Sequence, residues 1–214
     1  NQFRKRPSAL LKAWKAAHPE RKKMKLVMLT DTNCRMGNNL YSLIEQYDVP
    51  RETVIFPEDL SPIGEKKYFD QAMPMEEHKR LCELIDVYVS TTGGEGFGKG
   101  PLEGMSLNIP VIIGEHSACQ EVCARGSILV PVVGYYRPRD AVKVVDLALV
   151  DEEKFTEAIL QLYYHPEERE ELGIEARSWA KEFDYDIQIL PSWKDLLSRV
   201  NPDVFLANDL LKYG

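Results

Sequence analysis

Two acids with seven residues between them, Glu95 and Glu103, bracket the densest glycine stretch of the chain. From Thr91 to Met105 it reads Thr-Thr-Gly-Gly-Glu-Gly-Phe-Gly-Lys-Gly-Pro-Leu-Glu-Gly-Met, with five glycines in the eight residues 93–100. Glycine lets backbone come close to a ligand, and the free N–H groups at a helix start attract anions. Each carboxylate can accept hydrogen bonds from neighbouring hydroxyls of a sugar or ribose, at about 1.5–3 kcal/mol per charge-assisted bond. A diphosphate carrying hydroxyl-bearing rings suits such a set. Taken singly the signals are unspecific. The loop matches neither G-x-G-x-x-G nor G-x-x-x-x-G-K-[ST], and Glu103 alone also reads as a first-turn carboxylate offsetting a helix dipole.

Cations for such an anion stand at the start of the chain. Residues 1–25 hold nine basic side chains, Arg4, Lys5 and Arg6 among them, against the single acid Glu20. The whole chain has net charge -7, so the remaining residues carry -15. An acidic body argues against a dedicated nucleic-acid binder and fits a small anionic ligand. Any one of the three cations also reads as part of a solvated charge run.

His116, Cys119 and Cys123 are spaced as three metal ligands would be, but Cys is commonly a small buried hydrophobe, and no metal is expected here. Four cysteines without a Cys-x-x-Cys pair do not form a secreted disulfide framework and point to a reducing compartment. No apolar run is long enough to span a bilayer, and the opening residues lack a signal-peptide core.

The elements that must position these residues alternate. Leu10, Leu11, Trp14 and Ala17 mark an amphipathic helix over 8–17 behind Pro7. Strands are expected at 25–30, 53–56, 87–91, 110–113 and 128–130, with helices at 38–47, 75–85, 101–107 and 117–124. Continuously apolar strands alternating with helices imply parallel crossovers, hence an α/β doubly wound, Rossmann-like parallel sheet. Ligands bind beyond the carboxyl ends of such strands, where the glycine loop falls. Residues 57–74 and 131–149 read as irregular. Asp151 reads as the cap of a helix carrying Phe155, Ala158, Ile159, Leu162 and Tyr163, with further helices at 167–182, around Trp193 to Val200, and at 203–212. Trp14, Trp179 and Trp193 read as packing residues on apolar helix faces.

Glu95-Gly96-Phe97-Gly98 through Pro101-Leu102-Glu103-Gly104-Met105, followed by Pro110-Val111-Ile112, resembles the Glu-x(7)-Glu signature of retaining GT-B glycosyltransferases, family four in particular. Asp86-Val87-Tyr88-Val89 resembles the strand leading into that motif, and Glu121 the acid after the next strand. Leu172-Gly173 to Arg177 with Phe183-Asp184 resembles the domain's terminal helices, and Asn1 to Arg6 its opening Arg/Lys element. The resemblance implies that residues 1–214 are one domain, the nucleotide-sugar donor-binding C-terminal half with extra C-terminal helices, cut from something longer that holds an N-terminal acceptor domain.

It further implies transfer of a sugar from a UDP- or GDP-sugar, with retention of configuration, to a carbohydrate, lipid-linked or protein acceptor, without a cofactor or metal. Glu95 would meet the donor sugar, Glu103 the ribose diol, the backbone of Gly96, Phe97, Gly98 and Lys99 the sugar and diphosphate, and Arg4 and Lys5 the leaving diphosphate. Such a fragment is expected to bind donor without turnover. A cytoplasmic location is expected, free or peripheral to a membrane. A nucleotide-sugar epimerase, a phosphorylase of the same fold and a non-catalytic interaction domain are the competing readings.

Overall fold

A computed structural model describes residues 2–18, 23–33, 37–56, 59, 74–138 and 145–200. The expected helix at 203–212 and nearly all of the 57–74 stretch lie outside them. The helix α1 (Pro7–Ala17) opens on Pro7, as expected. It buries Leu10, Leu11, Trp14 and Ala17, and the Trp14 indole donates to Thr53 Oγ1 at 3.0 Å. Then follow β1 (Leu26–Val27), α2 (Leu40–Gln46), β2 (Val54–Ile55), α3 (Met75–Cys82) and β3 (Tyr88–Ser90). Next come α4 (Lys99–Ser106), β4 (Val111–Gly114), α5 (Ser117–Val122) and β5 (Ser127–Val130).

All five of these strands pair in parallel, β1 with β2 and β3 with β4 with β5. The strands are shorter than the apolar runs that announce them. The run Lys25–Thr30 yields only Leu26–Val27, because β1 has a ladder partner in β2 alone. The alternation of β4 shows why the fold is doubly wound. Ile112 points into a core shared with α1 and the helix α6 (Glu152–Tyr164), whereas Val111 and Ile113 point into a second core with Met105, Cys119, Val122 and Ala176.

The stretch 131–149 is not irregular throughout. It contains β6 (Val132–Tyr136) and β7 (Leu147–Val150), an antiparallel ribbon with an irregularity between Val132 and Gly134. Pro131 and Gly134 break up the β-branched and aromatic run that would have announced β6. Asp151 caps α6 as read, its carboxylate accepting from the amides of Glu153 and Lys154. Helix α7 (Pro166–Ala180) follows, then a 3-10 turn (Lys181–Phe183), a π turn (Tyr185–Ile189) and α8 (Leu190–Ser198). Trp179 packs edge-on to Phe183 and donates to Val122 O at 3.0 Å. Trp193 does not pack as expected and is 53% exposed, since α8 buries none of its residues.

Candidate functional site

The 3-10 turn Phe3–Lys5 precedes Arg6, whose left-handed backbone (φ 50) swings the chain into α1. That geometry lays the turn along the glycine loop. The amide of Gly93 donates to Arg4 O at 2.7 Å, and Thr91 Oγ1 donates to Arg6 O at 2.9 Å. The same loop is held from the other side by β7, where the Ala148 amide donates to Gly93 O at 2.8 Å. Main-chain bonds over such sequence separations fix the loop far better than its own glycines could.

The result is one ionic cluster. Arg4 Nη1 meets Glu95 Oε2 at 3.2 Å and Gly94 O at 2.9 Å, and Lys5 Nζ binds the same Oε2. Both cations use Oε2, which leaves Oε1 out of these ion pairs. Burial would raise the Glu95 carboxyl, but the bonds from Lys5 and Arg4 outweigh it and hold the group below its ordinary range. Arg6 turns elsewhere, to Ala148 O at 3.2 Å and over the Tyr136 ring at 5.7 Å. Of the three consecutive cations, Arg4 and Lys5 are therefore the two gathered on Glu95.

The other acid is placed differently. Helix α4 starts at Lys99, two residues ahead of Pro101, so Glu103 lies beyond the first turn and not within it as expected. Its part as a first-turn dipole partner is correspondingly small. It pairs with Lys99 Nζ at 3.5 Å on the exposed side of the helix. The link between the acids is Tyr88, whose phenol is pushed up to about 12 by burial first and then by Glu95 and Glu103 among its neighbours. Helix α4 rests on this ring. A side-chain carbon at Gly100 would fall 2.7 Å from the Tyr88 hydroxyl oxygen, so that glycine serves packing, whereas Gly96 faces open space. Gly98 (φ 97) supplies the left-handed residue from which α4 departs. Phe97 is 51% exposed, with its ring edge-on to Phe183 at 6.1 Å.

Three residues the sequence reading did not assign to the site are part of it. The imidazole Nε2 of His116 lies 2.7 Å from Thr92 O, its Nδ1 lies 3.2 Å from Ser117 Oγ, and the Glu95 amide donates to Ser117 Oγ at 3.4 Å. Position after β4, at the carboxyl end of a parallel strand, is the signal that could have marked His116 and Ser117. The His116, Cys119 and Cys123 spacing does not gather as a ligand set. His116 is spent on the loop, and burial raises both thiols, Cys123 to about 12. Among the described residues no group of three or more His, Cys, Asp or Glu could hold a metal ion.

A cavity of about 820 Å³ runs along the seam between β1 and β3, walled by Trp14, Leu26, Met28, Val87 and Ile159. It reaches the site at Lys5, Tyr88 and Thr91. The ionic cluster, and not this mostly apolar seam, has the chemistry to hold an anionic ligand.

This arrangement defines an α/β Rossmann-like domain with a charged site at the carboxyl end of its parallel strands. The solved structures it resembles are GT-B glycosyltransferases, of which it matches one half. Sucrose-phosphate synthase from Thermosynechococcus elongatus superposes with a TM-score of 0.65 at 19% identity over 93% of this chain and 44% of that one. The C-terminal domain of a glycosyl transferase group 1 family protein, LpcC, from Francisella tularensis gives 0.62 at 16% identity over 88% and 83%. Anabaena HepE in complex with UDP gives 0.65 at 14% over 92% and 46%. The chain thus spans less than half of the first and third of these proteins. No family model matches it, and no curated protein does.

Proposed function

We propose that the chain is the nucleotide-sugar donor-binding half of a retaining GT-B glycosyltransferase, residues 1–214 forming that domain. The observation that carries this reading is the division of labour at Glu95: Oε2 is bound by Arg4 and Lys5 while Oε1 stays out of both ion pairs. Oε1 accepts a hydroxyl of the donor sugar, and the two cations face the diphosphate. The open backbone at Gly96 and its neighbours Phe97, Gly98 and Lys99 line the sugar and diphosphate, and Glu103, across Tyr88, accepts from the ribose diol. UDP bound to a protein of the same fold supports a nucleotide donor.

In the transfer the bond between the anomeric carbon and the diphosphate oxygen breaks with its electron pair going to the diphosphate. The acceptor hydroxyl, held by an N-terminal domain, attacks the same face, its oxygen bonding to the anomeric carbon while its proton passes to the departing diphosphate oxygen. Arg4 and Lys5 stabilise the charge as it develops on the leaving group, which lets the reaction proceed without a metal. No described helix is long and apolar enough to cross a membrane. The reading places the protein in the cytoplasm, free or peripheral to a membrane, acting on a carbohydrate, lipid-linked or protein acceptor.

The test is titration calorimetry of the 214-residue chain against UDP- and GDP-sugars. At least one binds without added metal, and Glu103→Ala weakens it. Failure of every nucleotide sugar to bind would overturn the reading.

A further inference from the structure

We infer that His116 and Ser117 are positioning residues for Glu95, gripping the glycine loop on both sides of Gly93-Gly94 and so fixing where the acid stands. The inference deepens the donor-binding reading, on which its consequence for ligand rests. The bonds themselves can be given a direction. Thr92 O can only accept, so the proton of the buried His116 ring sits on Nε2. Burial lowers the imidazole pKa and so favours the neutral ring, outweighing the Thr92 bond, which acts in the opposite direction. Nδ1 is then an acceptor, the Ser117 hydroxyl donates to it, and Ser117 Oγ accepts the Glu95 amide. The His116 ring N–H, the Ser117 hydroxyl and the Glu95 amide thus each donate to an acceptor of the right kind.

The backbone of Ser117 adds an independent observation. Its φ is +47, a left-handed conformation at the head of α5 that serine rarely adopts and glycine adopts freely. Backbone conformation alone favours glycine there, so what serine brings is its hydroxyl, at the cost of local strain. The two glycines between the gripped residues are held through their main chain by Arg4 and Ala148, and the strained serine at the head of α5 adds a hold on the neighbouring Glu95 amide.

The variant Ser117→Gly separates positioning from structure, because it removes the hydroxyl and relieves the backbone together. His116→Gln is the second variant: its amide still donates to Thr92 O but offers Ser117 no acceptor at the Nδ1 position. In the 214-residue chain three quantities are read: melting temperature, the Glu95 carboxyl midpoint by carbon-13 NMR, and UDP-glucose binding by calorimetry. Ser117→Gly is expected to melt no lower than the parent, while its Glu95 midpoint rises toward the ordinary value as the Lys5 and Arg4 bonds loosen. UDP-glucose then binds about five- to tenfold more weakly, the loss of roughly one hydrogen bond. His116→Gln moves the midpoint in the same direction.

A purely structural role would make melting temperature and midpoint change together, and unchanged Glu95 midpoints in both variants overturn the inference. If the midpoints move while the parent chain binds no UDP-glucose, the positioning stands and the donor-binding reading loses its support for this sugar. If the parent binds UDP-glucose and the midpoints stay fixed, the donor reading stands and the positioning falls.

Discussion

Glu95 and Glu103 are the same residue type in one short segment, yet the fold treats them in opposite ways. Glu95 is bound by cations 91 and 90 positions earlier in the chain and by its amide to the loop after β4. Among the described residues Glu103 has one ion-pair partner, Lys99, a turn away on its own helix. Glu95 is therefore tied into the scaffold as well as facing the candidate site, whereas Glu103 is half-buried on its helix and, in the proposed reading, left to a ligand. The difference is one of contact range. A carboxylate tied across the fold is preorganised, and one tied only to i−4 keeps its conformational freedom until something binds.

The largest expected effect follows from that double membership. Glu95→Gln keeps the shape but removes the charge that Arg4 and Lys5 share. We expect UDP-glucose binding to fall roughly a hundredfold, from the weakening of two charge-assisted contacts. Urea unfolding should show a loss of about 1 kcal/mol, modest because both cations are partly exposed and screened. The stability difference has a pH signature. The folded carboxyl ionises below its ordinary value of 4.5, so its contribution is complete above that value and disappears as pH falls through the folded midpoint. Melting curves of parent and variant should differ at pH 7 and converge near the acid end. A gap that persists unchanged in acid would mean that the ion pairs do not hold the turn.

Next in size is Gly100→Ala, which tests what joins the two acids. The added carbon meets the Tyr88 hydroxyl at 2.7 Å, so α4 must move off β3 or the ring must give way. Overpacking of this kind costs about 1–3 kcal/mol. Tyr88→Phe in the same chain removes the clashing oxygen and should restore most of the loss, as measured by urea unfolding of the single and double variants. Without that restoration Tyr88 is not the platform that sets the spacing between the acids.

How far this contrast was legible beforehand depends on the range of the interaction concerned. Local signals carried well: Pro7 opening α1, Asp151 capping α6, and the glycine loop between β3 and α4 all rest on neighbours within a turn. The resemblance of Glu95 to Met105 pointed to the GT-B half that the solved structures share, and it named both acids. What could not be read is long-range. Nothing near Arg4 or Lys5 in sequence says that both fall on one oxygen of Glu95 while Arg6 turns to Tyr136. Ribbon β6–β7 was hidden for a different reason. Pro131 and Gly134 interrupt its first strand, and its second, Leu147–Val150, runs directly into the Asp151 cap. A first-turn position for Glu103 failed because proline was read as the helix start, whereas Gly98 with its left-handed backbone let α4 begin earlier.

The smaller predictions concern the exposed end of the contrast. Glu103→Ala should weaken UDP-glucose binding about tenfold, one charge-assisted bond, while urea unfolding changes by less than about 0.5 kcal/mol. Lys99→Ala should do least to the fold. A lysine ahead of a glutamate at i,i+4 is the weaker orientation of that pair, worth about 0.2–0.5 kcal/mol at most, and a cation at a helix start opposes the dipole. Those two effects nearly cancel, so stability should be unchanged within error. Binding is the decisive reading. If Lys99 only restrains Glu103, its loss frees the carboxylate and leaves the affinity for UDP-glucose within about twofold of the parent, a change no larger than a single surface pair supplies. An affinity lost as deeply as in Glu95→Gln would instead put Lys99 on the diphosphate, and the site would then be divided between its two ends more evenly than the contacts of Glu95 and Glu103 indicate.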